Sequence, residues 1–197
     1  MTRLPFLLRK NFWLTVLKVL ALAFVAFMLI VQIPELRYDF GPRQPVDIGG
    51  DGELAPGRFA RATFVSLQGT PDFDRAFIYR RYGLEYTYFL IQPYGVRLVA
   101  RTYEKVDDDW KTITQFVGKI RPFARQPFSY RIRDIYRERF DVEIPRDAYF
   151  LALYDVPQPS GWQIGAVIFA AILWGVMFYM FFFFRWRRIR PPISGAE

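Results

Sequence analysis

WGVMFYMFFFFRWRRIR, Trp174 to Arg190, runs a train of bulky apolar residues into a wall of arginine. Reading back from Arg185, the first charge met is Asp155. Ile164–Phe184 is therefore about 21 uncharged, strongly apolar residues, enough for a helix rising 1.5 Å per residue to cross a ~30 Å hydrocarbon layer. Trp162 and Trp186 bracket the run, where amphipathic rings favour the headgroup level. Arg185, Arg187, Arg188 and Arg190 stop transfer, and Pro191 and Pro192 discourage further helix. A buried core helix is the alternative, but apolar residues on every face at this length speak for lipid.

The other end of the chain mirrors this one. NFWLTVLKVLALAFVAFMLIVQIP, Asn11 to Pro34, is interrupted by Lys18, whose long stem is expected to snorkel toward the headgroups beside Arg9 and Lys10. The alternative for Lys18 is a contact with a partner helix or an anionic lipid. The run ends in MLIVQIPELR without a small-x-small cleavage site, so it reads as an uncleaved anchor rather than a signal peptide. The glycines of the second run, Gly165 and Gly175, lack GxxxG spacing.

Charge sets the expected orientation. The net charge is +8, but it sits at the ends. Met1–Lys18 has four basic and no acidic residues, and Arg185–Glu197 has four basic and one acidic, leaving 19 basic against 18 acidic between them. Both basic clusters lie on the outer flanks of the spans, so the positive-inside rule places both termini in the cytoplasm of an inner or plasma membrane. The intervening domain is then periplasmic or extracellular. A nearly neutral domain on that side argues against nucleic acid.

The sequence contains no histidine and no cysteine. This excludes Ser-His-Asp and Cys-His catalysis, the usual zinc sites, His- or Cys-ligated haem and any disulfide framework. No cofactor is expected, and no enzyme. Asp107, Asp108 and Asp109 lack the spacing of a calcium loop, and Asp134 with Glu138 reads as helix surface charge.

Between the spans, GPRQPVDIGGDGELAPG lies within a linker over residues 35–57. Residues 58–157 then alternate like strands: RFARATFVSLQG, RAFIYRRYG, LEYTYFLIQ turning through PYG into VRLVARTYEKV, and KTITQFVGKIRPF, with Gly118 marking a bulge or a close backbone approach. Phe128, Ile132, Ile135, Tyr136 and Phe140 make a helical stripe behind Pro127, and DAYFLALYDVP is a final strand. The expected architecture is an α+β membrane protein. Residues 1–10 form a basic tail, 11–34 the first transmembrane helix, 58–157 an extracytoplasmic antiparallel β-rich domain with one amphipathic helix, 162–184 the second transmembrane helix and 185–197 a second basic tail. A small closed barrel of the oligosaccharide-binding type is one candidate for the sheet.

The chemistry-bearing cluster is tyrosine and arginine: Tyr79, Arg80, Arg81, Tyr82, Tyr86, Tyr88, Tyr94, Arg97 and Arg101. Such residues make protein-binding hot spots or stacking platforms, and they also edge ordinary β cores. Two spans bracketing an extracytoplasmic β-rich domain is similar in layout to the Surfeit-type cytochrome oxidase assembly factors. With no motif matched, no functional residue follows from that likeness. The expected function is an accessory, assembly or scaffolding protein binding a partner in its own membrane, since tethering by both ends raises effective concentration there. The alternative is a membrane-tethered module that senses a ligand or glycan, expected to be weaker because the tails are too short for an output domain. Membrane lipid and a membrane protein are the expected partners, and homo-oligomerisation is left open.

Overall fold

The computed structural model describes residues 6–81 and 83–183. Two compact units result: the paired apolar helices, and the sheet domain Pro34–Pro159. The elements run α1 (Phe6–Asp39), β1 (Val46–Asp47), β2 (Thr63–Gln68), β3 (Thr70–Arg81), β4 (Leu84–Gln92), β5 (Gly95–Thr102), β6 (Gln115–Pro122), α2 (Ser129–Phe140), β7 (Tyr149–Leu153) and α3 (Gly161–Phe182).

Both long helices are apolar enough to cross a membrane. Their packing leaves most of that apolar surface exposed in the isolated chain. No residue of α3 is buried, and Leu22 is the sole buried apolar residue among the described side chains of α1 before Tyr38. Up to Leu29, the half-buried residues of α1 fall at Val16, Lys18, Ala21, Val25, Ala26 and Leu29 around the buried Leu22, and those of α3 at Ile164, Val167, Ala170, Trp174, Met177 and Phe181. The spacings of three and four in α3, and the positions Lys18, Ala21, Leu22, Val25, Ala26 and Leu29 of α1, make one narrow seam per helix, leaving the remaining apolar surface uncovered. Two polar contacts close the seam. Trp174 Nε1 donates to the Leu22 carbonyl at 3.1 Å, and Lys18 Nζ to the Phe181 carbonyl at 3.3 Å. The second is a cation on a carbonyl in the last turn of α3, where the helix dipole favours positive charge. Lys18 thus reaches the neighbouring helix of its own chain. The described part of α1 also carries Arg9 and Lys10, whose side chains lie outside the description, as do Arg185, Trp186, Arg187, Arg188 and Arg190. Trp162 stands 84% exposed in the first turn of α3.

The sheet domain is α+β. Its seven strands form one open mixed sheet in the order β1-β2-β6-β7-β5-β4-β3. Two expectations are corrected here. The sheet does not close into a barrel, and it is not wholly antiparallel: β1 pairs parallel to β2, and β7 parallel to β5. Geometry forces the second parallel pair. The connection over residues 103–114 leaves β5 and β6 antiparallel to each other with a gap between them. Any strand filling that gap must run parallel to one neighbour, and β7 enters after α2, antiparallel to β6 and parallel to β5.

Alternation sorts side chains to the two faces. Val65, Leu67, Phe89, Ile91, Leu98, Ala100, Ile120, Leu151 and Leu153 face one core, closed over by Leu54, Phe59 and Trp110 from the connections. Phe77, Tyr88, Leu90, Val99, Phe150 and Ala152 face the other, closed by Ile132 and Tyr136 of α2. With both faces covered, the central strands are apolar throughout, as the buried run YFLAL of β7 shows. The glycine- and proline-rich segment 41–57 packs too. Tyr94 donates to the Gly49 carbonyl at 2.6 Å and Tyr149 to the Ala55 carbonyl at 2.8 Å, and Leu54 is 2% exposed.

Helix α2 begins at Ser129, two residues past Pro127, because Phe128 adopts a left-handed conformation with φ of 63°. Phe128 therefore leaves the helical stripe and turns to the rim of the site described next.

Candidate functional site

A concavity of about 200 Å³ opens on the α2 face of the sheet. Its walls come from Tyr79, Leu84, Tyr86 and Tyr88 of the β3–β4 hairpin, Arg101 of β5, Arg121 of β6, and Gln126, Pro127 and Phe128 before α2. Register explains the convergence. Tyr79 pairs with Tyr86 and Phe77 with Tyr88 across β3–β4, Tyr88 with Arg101 across β4–β5, Arg101 with Ala152 across β5–β7, and Ala152 with Lys119 across β7–β6. One row thus reads Phe77, Tyr88, Arg101, Ala152, Lys119 across five strands. The small Ala152 leaves room between its two cationic neighbours.

Rings hold Arg101. Its guanidinium carbon lies 4.7 Å from the Tyr86 ring centre and 5.2 Å from that of Phe150, distances at which cation–π attraction operates. Phe150 is level with Val99, before Arg101 on one neighbouring strand, while Tyr86 lies beyond Arg101 on the other. The two rings therefore flank the guanidinium from opposite ends. Arg101 makes no ion pair among the described residues. Burial raises the Tyr88 phenol, and the charge and hydrogen bond of Arg101 pull it part of the way back.

Arg121 is anchored differently. Nη1 donates to Glu35 Oε1 at 3.2 Å, Nη2 donates to Gln126 Oε1, and the guanidinium lies 5.6 Å from the Phe150 ring. Burial pulls its pKa down and Glu35 opposes that; the charge of Arg101 pushes the same way as burial. Beside it, Lys119 is buried, bonded to Glu35 Oε2 at 2.5 Å, 3.7 Å from Asp155 Oδ2 and 4.0 Å from the Tyr38 ring. Tyr38 donates to the Asp155 carbonyl. Glu35 stands two residues beyond Ile33 in α1, and Asp155 shortly before α3, so both chain entries to the sheet domain meet in this network.

Of the residues singled out by sequence, Tyr79, Tyr86, Tyr88 and Arg101 come together. Tyr94 lies in the opposite core. Arg80 is exposed and pairs with Glu85 at 2.5 Å, and Arg97 is exposed near the β4–β5 turn. The side chain of Arg81 and all of Tyr82 lie outside the description. Sequence reasoning missed Lys119, Arg121, Glu35, Gln126 and Phe128. The alternation of QFVGKIRP, which sends Lys119 and Arg121 to the same face, was the available signal for two of them. Among the described residues, no cluster of three or more acidic side chains is arranged to hold a metal ion.

Comparison of the chain with known protein families, curated proteins and solved structures finds no match.

Proposed function

We propose that the chain is a two-pass membrane protein with both termini cytoplasmic, whose extracytoplasmic domain acts as an accessory, assembly or scaffolding module for a partner in the same membrane. One observation carries this reading: aromatic and arginine side chains far apart in sequence converge on one partly open concavity, the composition in which binding hot spots concentrate. Within the sheet domain, the buried network around Lys119 braces the same face of the sheet, so the strands that carry the concavity are fixed to one another.

The test is crosslinking in intact membranes followed by pull-down in mild detergent and mass spectrometry. Reproducible recovery of one membrane complex supports the accessory role. Recovery of the chain alone, or only with itself, removes it. Topology is checked separately. The chain has no cysteine, so Arg146→Cys, on an exposed turn, is expected to react with a membrane-impermeant maleimide in cells whose outer barrier is opened. Protection until the inner membrane is lysed would reverse the orientation.

The second reading, a tethered sensor of a ligand or glycan, is favoured by the concavity itself. Its volume of about 200 Å³ is below the roughly 300–1,000 Å³ of small-molecule sites. That suits a group the size of one side chain better than an oligosaccharide.

A further inference from the structure

We propose that the pocket between Tyr79, Arg101 and Arg121 receives a single carboxylate carried by a partner polypeptide, from an acidic side chain or a chain-terminal residue. This rests on the partner-binding reading and supplies its recognition chemistry.

The charge pattern is the first reason. Lys119 and Arg121 have carboxylate partners, Glu35 and Asp155 for the first and Glu35 for the second, whereas Arg101 makes no ion pair among the described residues. Glu35 already serves both Lys119 and Arg121. Arg101 is left with rings and a tyrosine hydroxyl, and its charge works against that of Arg121 nearby. No acidic residue is among the described residues that line the pocket. One negative charge brought beside Arg101 gives that guanidinium an ion-pair partner, which the described residues do not supply. A carboxylate brings one, whereas a phosphate monoester brings about 1.5 to 2.

Shape is the second. Arg101 lines the pocket and spends one hydrogen bond on Tyr88; a guanidinium carries five N–H donors, and a planar carboxylate meets two of them with parallel hydrogen bonds. Leu84, Pro127, Phe128 and the faces of Tyr79 and Tyr86 offer apolar contact for the methylenes behind the carboxylate. The volume holds one residue. On the rim, Phe128 sits in a backbone conformation that bulky residues rarely adopt, the kind of strain that collects at binding sites.

The full chain, in nanodiscs of zwitterionic lipid, is titrated with N-acetylglutamate amide, with N-acetylglutamine amide and with dimethyl phosphate, and followed by saturation-transfer NMR. The glutamine compound differs from the glutamate one only in lacking the charge, and dimethyl phosphate mimics the phosphodiester of a lipid headgroup. Saturable binding of the glutamate compound at least about tenfold tighter than the glutamine one, lost in Arg101→Gln, is the expected result. Equal binding of the two, or none, overturns the proposal even if Arg101→Gln does not fold, since that comparison uses the wild-type chain. Tighter binding of dimethyl phosphate also overturns it and assigns the pocket to a lipid. Carboxylate binding without any crosslinked partner would sink the accessory role and keep the pocket. A partner still recovered with a pocket that ignores carboxylates would do the reverse.

Discussion

The Glu35 carboxylate, on the helix that enters the domain, holds the Lys119 ammonium of the central strand β6 at 2.5 Å, 84 residues along the chain. The Lys119 side chain is only 6% exposed, while Glu35 is 43% exposed. Removing the acid strands a buried cation with Asp155 at 3.7 Å as its remaining carboxylate. Breaking a fully buried pair costs about 3–5 kcal/mol, and the solvent at Glu35 reduces that. Glu35→Ala is expected to destabilise the domain by about 2 kcal/mol. Lys119→Met, which removes the charge and keeps the shape, should cost less. Thermal melts of the full chain in detergent check the order; a larger loss for Lys119→Met would show that the pair itself, rather than a stranded cation, dominates.

Gly118 sits where β6 passes β7. A Cβ there would fall 2.1 Å from the Ala152 carbonyl oxygen, which is backbone and cannot step aside. The ladders on both sides of Gly118 run without a register shift, so the glycine marks a close approach and not a bulge. Gly118→Ala is overpacking of this kind and is expected to cost about 3 kcal/mol, the upper end of the usual range. Gly83, with φ of +76° and open space around it, should lose about 1 kcal/mol on change to alanine from backbone conformation alone. Gly161→Ala, with no contact and no unusual φ, should lose nothing. Soluble yield and melting temperature of the three variants rank them, and equal effects would refute the backbone contact.

How much of this was readable in advance depended on range. The two apolar helices, five strands, the amphipathic helix and the last strand follow from local periodicity, and each is present. The strand order does not follow, because the insertion of YFLAL between β5 and β6 is decided by which gap remains open, a property of the whole sheet. Tyr79, Tyr86 and Tyr88 share one concavity because they alternate on neighbouring strands of one hairpin. Tyr94 is near them in sequence but not in space: the β4 ladder shifts register between Leu90 and Ile91 on the way into the turn, and the ring joins the core on the other face. Arg121 and Glu35 come from distant segments and meet only in three dimensions. Phe128 looked like a helix-face residue, since nothing in its neighbours announces a left-handed backbone.

Alkali should unfold the domain earlier than an average tyrosine content would suggest. Burial raises the phenols of Tyr88, Tyr94 and Tyr136 above the ordinary value of 10.0. A folded-state pKa above the unfolded one means that the folded protein keeps its proton where the unfolded chain has lost it. The stability contributed by the neutral phenols is then complete below pH 10 and falls as pH rises from there toward the folded values. Near-ultraviolet absorbance of tyrosinate should lag behind that of free tyrosine and then rise together with loss of circular dichroism. Smooth titration of these rings before any unfolding would contradict their burial.

Tyr136 and Tyr149 are both buried, yet the same change at the two should have opposite signs. The Tyr136 hydroxyl has no hydrogen-bond partner among the described residues, while its ring packs edge-on against Phe77 at 5.1 Å and tilts against Phe140 at 5.8 Å. Tyr136→Phe keeps the ring contacts and removes a desolvated, unsatisfied hydroxyl, so a gain of about 1 kcal/mol is expected. The Tyr149 hydroxyl donates to the Ala55 carbonyl at 2.8 Å and accepts from the Phe59 amide at 3.4 Å. Tyr149→Phe leaves both backbone groups without that partner and releases the segment that closes the opposite core, so a loss of about 1–2 kcal/mol is expected. Denaturant melts of the two variants beside wild type measure the difference. A loss at Tyr136 as large as that at Tyr149 would mean that its hydroxyl is satisfied after all, by an ordered water inside the core.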